Sequence, residues 1–273
     1  MSSADTAFPK PFSKPRRWPA ALLRFAMVAS IVGLVLLLAA GPGYRLRLLP
    51  LIPALLGAAL GFVLFVLAFI SGAIGWLRAR GSGPLPRGAA VLLGLAGLVS
   101  VFAIVFMVHA SGAPPIHDIT TDFDDPPAFK DVLAARMASG ALNPADYRRI
   151  QDTNGEKLDV AAAQRSAYPD ILPLVGSEPP ATLIPLAVKA AHDLGWDVVA
   201  TDPADGRLEA TDTTRYFGFK DDIVVRIRAT PSGSRIDVRS ESRVGLGDAG
   251  ANARRVAAYL ADLRKLMAQV PAA

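Results

Sequence analysis

Three long apolar stretches open the chain, and a half that alternates between apolar and polar positions follows them. Phe25–Ala40 is uncharged and extends back over Pro19–Leu23 across a single Arg24, while Leu48–Leu77 and Gly88–Ala110 contain no Lys, Arg, Asp or Glu. About 20 apolar residues suffice to cross roughly 30 Å of hydrocarbon, so each stretch is expected to be a transmembrane helix, the three together filling residues 19–110. Pro50 and Pro53 are expected to form the turn into the second span, with its helix running from about Ala54 to Leu77. Small residues recur four apart at Ala29/Gly33, Gly57/Gly61, Ala68/Gly72 and Ala90/Gly94, a spacing that lets helices approach closely in lipid. Packing of the three helices on one another is the first expectation, and a homo-oligomer is the second.

Beyond the third stretch the period changes. Residues 111–127, rich in Pro and Asp, read as an extended linker ahead of a domain over 128–273. Phe129, Val132, Leu133 and Met137 suggest a short helix stopped by Gly140, and Asn154-Gly155 is a strong turn signal in the polar stretch from Asn143. A Pro-rich extended segment runs from Tyr168 to Pro180. Leu183, Ile184, Ala187, Val188, Ala191 and Leu194 then share one helical face, ended by Gly195. Trp196–Thr201 and Arg207–Thr213 alternate as strands, as do Asp222–Thr230 and Arg235–Ser242 about the turn Pro231–Ser234. A last helix starts near Asp248 and carries Val256, Leu260, Leu263, Met267 and Val270 as one narrow stripe. The expected fold is α+β: three transmembrane helices, then a two-layer domain with an antiparallel four-stranded sheet and helices packed on one face, its core within 180–270.

Alternation also assigns faces. Ile223, Val225, Ile227 and Ala229 point the same way as Ile236 and Val238, toward the helices; Arg226, Arg228, Asp237, Arg239, Glu241 and Arg243 point the other way. A four-residue loop at 231–234 would set Arg228 opposite Asp237 and Arg226 opposite Arg239, with Asp237 and Glu241 diagonal to Arg226.

Charge divides the chain at the same place as hydropathy. The first 110 residues hold ten Lys or Arg and one acid, Asp5; the remainder holds 19 basic and 23 acidic residues. The formal net charge of +5 is therefore not a basic surface, and nucleic acid is not an expected partner. Lys10, Lys14, Arg16, Arg17 and Arg24 precede the first span and Arg78, Arg80 and Arg87 separate the second from the third, whereas no Lys or Arg follows the third until Lys130. The positive-inside rule then gives a cytoplasmic tail at 1–18 and an external domain, periplasmic or extracellular, on the inner (plasma) membrane. A cleaved signal peptide is the rival reading, but Leu38-Ala39-Ala40 lacks the small residue needed at −3. No acid or base lies mid-span, which argues against an ion pathway.

The chemistry offered is sparse. There is no cysteine, the imidazoles are His109, His117 and His192, and no Gly-x-Ser-x-Gly elbow accompanies Ser240 or Ser242. His117, Asp118, Asp122, Asp124 and Asp125 form an acidic run without the spacing of a calcium loop, so a solvated linker is expected and no metal or cofactor. The most suggestive constellation sets Asp221 and Asp222 beside Arg226, Arg239 and Arg243, with Asp248 and Asn252 at the start of the last helix. Arginine forks could hold a phosphate or carboxylate there, or could be consumed by the neighbouring carboxylates as an internal network, and the second is expected.

Phe217-Gly-Phe-Lys-Asp-Asp-Ile-Val-Val-Arg-Ile, Asp237-Val-Arg-Ser-Glu-Ser-Arg-Val-Gly and Asp248-Ala-Gly-Ala-Asn-Ala-Arg-Arg, with Tyr168-Pro-Asp-Ile and His117-Asp-Ile-Thr-Thr-Asp upstream, resemble the domain-of-unknown-function family numbered 1499 over about residues 115–268. Many bacterial members resemble this chain in placing transmembrane helices before the domain. The resemblance implies a domain boundary and no activity. A membrane-anchored envelope protein with a binding or accessory domain, meeting an envelope protein or a second copy of itself, is the expected function; a hydrolase-like envelope enzyme on the Asp/Arg patch, with a divalent cation, is the alternative.

Overall fold

A computed structural model describes residues 20–78 and 87–269. The basic tail, Arg80 and Val270, on which parts of the reading above rest, lie outside them. The chain forms two compact units, residues 1–105 and 106–273.

The first unit is built from α1 (Ala20–Arg45), α2 (Leu51–Arg78) and the greater part of α3 (Arg87–Ser111), all long and apolar enough to cross a membrane. Helix α2 begins at Leu51, so Pro53 sits inside its first turn, where an amide hydrogen has no intrahelical acceptor to lose. Ala29, Phe65, Ala68 and Ala96 form a buried seam among the three helices. Gly33 and Gly61 bring α1 and α2 so close that a Cβ on either would stand 3.0 Å from the other's carbonyl oxygen. Gly72 packs on Leu93 and Gly97 on the ring of Phe69, whereas Gly57 and Gly94 face open space. The small residues thus serve mostly to pack the helices on each other.

The second unit carries an antiparallel sheet of order β1-β8-β7-β6-β5. Its long strands are β5 (Asp197–Asp202), β6 (Arg207–Thr213), β7 (Lys220–Thr230) and β8 (Gly233–Ser242), near the ranges expected. The sheet has six strands rather than four, because two short ones share the outer edge of β8. β1 (Asp118–Thr120) pairs with residues 239–241, and β4 (Leu174–Gly176) pairs with 234–236. Covering that edge hides backbone groups that would otherwise invite another strand. The supposed linker is therefore structural: Ile116 and Ile119 are fully buried.

Helices α6 (Pro180–Asp193) and α7 (Ala251–Met267) pack on one sheet face. Ile223, Val225, Ile227, Ile236 and Val238 meet Leu183, Val256, Leu260 and Leu263 there, and Trp196 stacks on Tyr259 with ring centres 4.9 Å apart. Ala229, expected in this layer, is exposed. Unexpected elements are α5 (Val160–Ala167) and the hairpin of β2 (Ile150–Thr153) and β3 (Glu156–Asp159). Asn154 and Gly155, at φ of 58° and 92°, make the tight two-residue turn of that hairpin. The opposite sheet face is not open: the chain from Thr121 through α4 (Leu133–Ser139) covers it, with Phe129 and Val132 packed on Val224. The domain is α+β with an additional partial layer.

The β7–β8 turn is two residues, Pro231-Ser232, rather than four, since Thr230 pairs with Gly233. Arg226 therefore faces Asp237 and Arg228 faces Arg235, while Arg239 faces Val224. A shift of two preserves parity, so the face assignments stand and only the partners change.

Candidate functional site

The polar face is assembled rung by rung. Asp118 on β1, Glu241 on β8, Asp222 on β7 and Thr211 on β6 stand in one row across the sheet. Three carboxylates in line would repel one another, and three arginines interleave them. Arg243 clasps Asp222 with both arms of its fork, Nε at 2.8 Å and Nη2 at 2.7 Å, and donates through Nη1 to the Ala135 carbonyl and Ser139. Arg136, projecting down from α4, reaches Asp222 at 2.8 Å and Glu241 at 3.2 Å. Arg239 clasps Asp118 (3.0 and 2.8 Å), donates to the Pro127 and Ala145 carbonyls, and lies between the rings of Phe129 and Tyr147. Its side chain is 1% exposed.

The next rungs continue the pattern. Arg226 bonds Asp122, Asp125 and Asp237, each at 3.1 Å. The fully buried Glu209 accepts from the backbone N–H groups of Lys130, Asp131 and Val132 at 2.7–2.9 Å, which seats the start of α4 on the sheet. Asp118, Asp122 and Asp125 are thus counterions of the sheet arginines, not a solvated linker. Among the described residues no three His, Asp or Glu side chains come together as a metal site.

The candidate constellation is divided rather than gathered. Asp221 and Asp222 are neighbours in β7 and so project from opposite faces. Asp222, Arg226, Arg239 and Arg243 lie under the segment from Thr121 to Tyr147, Asp222 and Arg243 beneath α4 itself; Asp221, Asp248 and Asn252 lie on the α7 side. There Arg255 binds Asp221 at 2.6 Å and Asp212 at 2.9 Å. Buried Asn252 accepts from the Ser240 hydroxyl, and its amide donates to Ser242 and to the His117 carbonyl. Asp248 lies ahead of the helix, which starts at Ala251, yet its carboxylate accepts from the Gly250 and Asn252 amides and so fulfils a cap's task. Burial raises its pKa, against those two bonds. Asp222, Arg239 and Arg243 are all buried and ion-paired, Arg243 with Asp222 and Arg239 with Asp118, which is the internal network expected of them.

Two clefts remain. One, of about 190 Å³, is lined by Lys130, Arg207, Arg226 and Arg228 with Asp125 and Asp205. Each of its cations is already ion-paired, Lys130 to Asp205 and Arg228 to Asp125 both at 2.7 Å. The other, of about 210 Å³, lies between the start of β1 and the β2–β3 hairpin, lined by His117, Asn143, Asp146, Arg148, Gln151 and neighbours. Two of the lining side chains have a buried polar atom without a hydrogen-bond partner among the described residues, His117 Nδ1 and Gln151 Oε1; Tyr147 Oη and both oxygens of Glu241, outside the lining, lack one too, although Arg136 stands 3.2 Å from the Glu241 carboxylate. His117 Nδ1 stands 3.9 Å from Glu241. Burial, with Asp118 and Asp222 beside it, pushes the Glu241 carboxyl up to about 8, against the pull of Arg136 and Arg239. Burial lowers His117, assisted by Arg136 and Arg239 and opposed by Asp118. Burial likewise raises Tyr147 to about 12.

Three helices long and apolar enough to cross a membrane, followed by a sheet domain stiffened by internal charge pairs, fit a membrane-anchored protein. Residues 118–263 match the family described as a protein of unknown function, DUF1499, and the chain belongs to that family. No curated protein matches it in sequence.

Proposed function

We propose that this is an integral protein of the cell envelope, N-terminus cytoplasmic and C-terminal domain outside, whose domain is a binding or accessory module with the cleft over His117 as its binding surface. One observation carries this reading. Two neutral side chains on the cleft's lining, His117 and Gln151, have buried polar atoms without hydrogen-bond partners among the described residues, a condition that costs about 1–3 kcal/mol per group and is relieved by a bound polar ligand or by water, whereas the unmatched nitrogens at the other cleft belong to Arg207 and Arg226, which are ion-paired. The distribution of Lys and Arg about the spans supports the orientation.

Photocrosslinking in cells from the full chain tests the surface. A photoreactive residue at Leu246, on the cleft wall, should form adducts, and one at Arg228, on the exposed edge of the charge lattice, should not. Adducts at Arg228 with none at Leu246 would reject the reading. Phosphatase fusions after Ala273 should be active and those after Arg80 inactive if the domain is external.

A further inference from the structure

The loop between β6 and β7, residues 214–219, presents three aromatic rings on a closed backbone. The Thr214 amide donates to the Phe219 carbonyl at 2.8 Å, the Gly218 amide donates to the Thr214 carbonyl at 3.0 Å, and the Thr214 hydroxyl accepts from the Phe219 amide. Gly218 turns the chain at φ of 71°, where a side chain would be strained. Phe217 and Phe219 stack with ring centres 4.8 Å apart, and Tyr216 meets Phe217 edge to face at the same distance. None of the three is buried, and Tyr216 is 42% exposed. Arg215 and Lys220, both exposed, flank the rings, and no acid lies between Thr213 and Lys220.

This loop lies at the end of the sheet where the chain joins the domain. The His117 carbonyl accepts from the Ser242 amide, the Lys220 carbonyl accepts from the Arg243 amide, and the loop begins just beyond that row. Gln151 and the Asp248 amide hold the Pro115 and Ile116 carbonyls at the same end. Only β8 stands between β1 and β7, so the start of the loop is two strand spacings, about 10 Å, from the incoming chain. Helix α3 ends at Ser111, and the four residue steps from there to Pro115 span at most about 14 Å. Leu142, 74% exposed, donates its amide to the Arg243 carbonyl and adds an aliphatic side chain at this end. The turns at the other end, 202–206 and 231–232, contain no aromatic residue and carry Asp202 and Asp205.

We infer that the 214–219 loop docks into the interfacial layer of the bilayer that holds the chain's own apolar helices. The inference rests on those helices being inserted and is independent of what the His117 cleft binds. Rings favour the boundary between water and acyl chains, and basic side chains beside them stand level with the lipid phosphates. The short tether makes the contact intramolecular, so three rings have only to orient a domain already held near the lipid.

The chain has no cysteine, so a single introduced one carries a nitroxide at a unique site. The full chain is placed in nanodiscs of phosphatidylcholine and phosphatidylglycerol. Labels go at Thr213→Cys beside the loop, Ser232→Cys in the opposite turn and Val63→Cys on the exposed face of α2. Each is read for collision with oxygen, which concentrates in lipid, and with a nickel chelate, which stays in water. The oxygen-to-nickel ratio at 213 should exceed that at 232 several-fold. Tyr216→Ser should lower it, and Tyr216→Ser with Phe217→Ser should bring it to the value at 232. Equal ratios at 213 and 232, exclusion of both reagents from 213 (a protein contact), or a ratio at 213 unmoved by the serines overturns the inference. Failure of the helices to insert registers separately, as a water-like ratio at Val63.

Discussion

The two faces of the sheet are equally dry and are held by opposite means. Under α6 and α7, Ile223, Val225, Ile236 and Val238 meet Val256, Leu260 and Leu263, and the stabilisation is non-directional burial. Under the segment from Thr121 to Tyr147, Asp118, Glu209, Asp222, Arg239 and Glu241 are just as inaccessible, and each charge depends on a particular partner. An apolar layer accepts residues of similar volume, whereas a paired charge is costly to bury once its partner is gone. The polar face therefore fixes one arrangement of a segment that is poor in regular structure, and the cleft forms at the end of the lattice where partners run out.

The sharpest break in that contrast is Arg239→Ala, which strands Asp118 and unroofs Phe129. It should cost about 3–5 kcal/mol in denaturant unfolding of the full chain, far above an exposed pair. Leu260→Ala on the apolar face should cost about 2–5 kcal/mol, graded by the cavity left. A loss under 1 kcal/mol in either would mean that its face is not the dry layer described here.

Proton linkage separates the two layers further, since Ile223, Val225, Val256, Leu260 and Leu263 have no titrating group. Glu241 holds its proton more tightly when folded, so its contribution is full below the ordinary carboxylate pKa and is lost as pH rises toward about 8. Glu241→Gln should flatten the fall in melting temperature between pH 5 and 8. His117 acts oppositely: its lowered pKa gives stability above the usual imidazole range that is lost on acidification. The smallest effect should be Arg228→Ala, whose pair with Asp125 is more than half exposed on both sides, at about 0–1 kcal/mol.

The apolar half of this design was legible in the sequence because its signals are local. Periods of two and of about 3.6 located the four long strands and α6 and α7 within a few residues, and length alone identified the three spans. The polar face was legible only in parity. Alternation showed that Arg226, Arg239 and Arg243 share a side, but a turn two residues shorter than expected changed every partner. Asp221 and Asp222 were grouped although a strand must separate them. Arg136, Glu209 and Gln151 went unnoticed since their partners lie far off in sequence, Glu209 being nearly eighty residues from the amides it holds. The linker was misread because acidity and proline suggest solvent, and only the sheet shows that those acids are counterions.

The central claim is that the charge lattice holds the domain together while the neighbouring cleft performs its task. Ile150→Trp fills that cleft from an exposed position on β2, where an aromatic residue suits the strand and Asp118 on the lining stays paired with Arg239. Complementation of a deletion strain by the full-length variant, read beside its melting temperature, tests the claim directly. Lost complementation at an unchanged melting temperature is the predicted result; full complementation by a stably folded variant would contradict it.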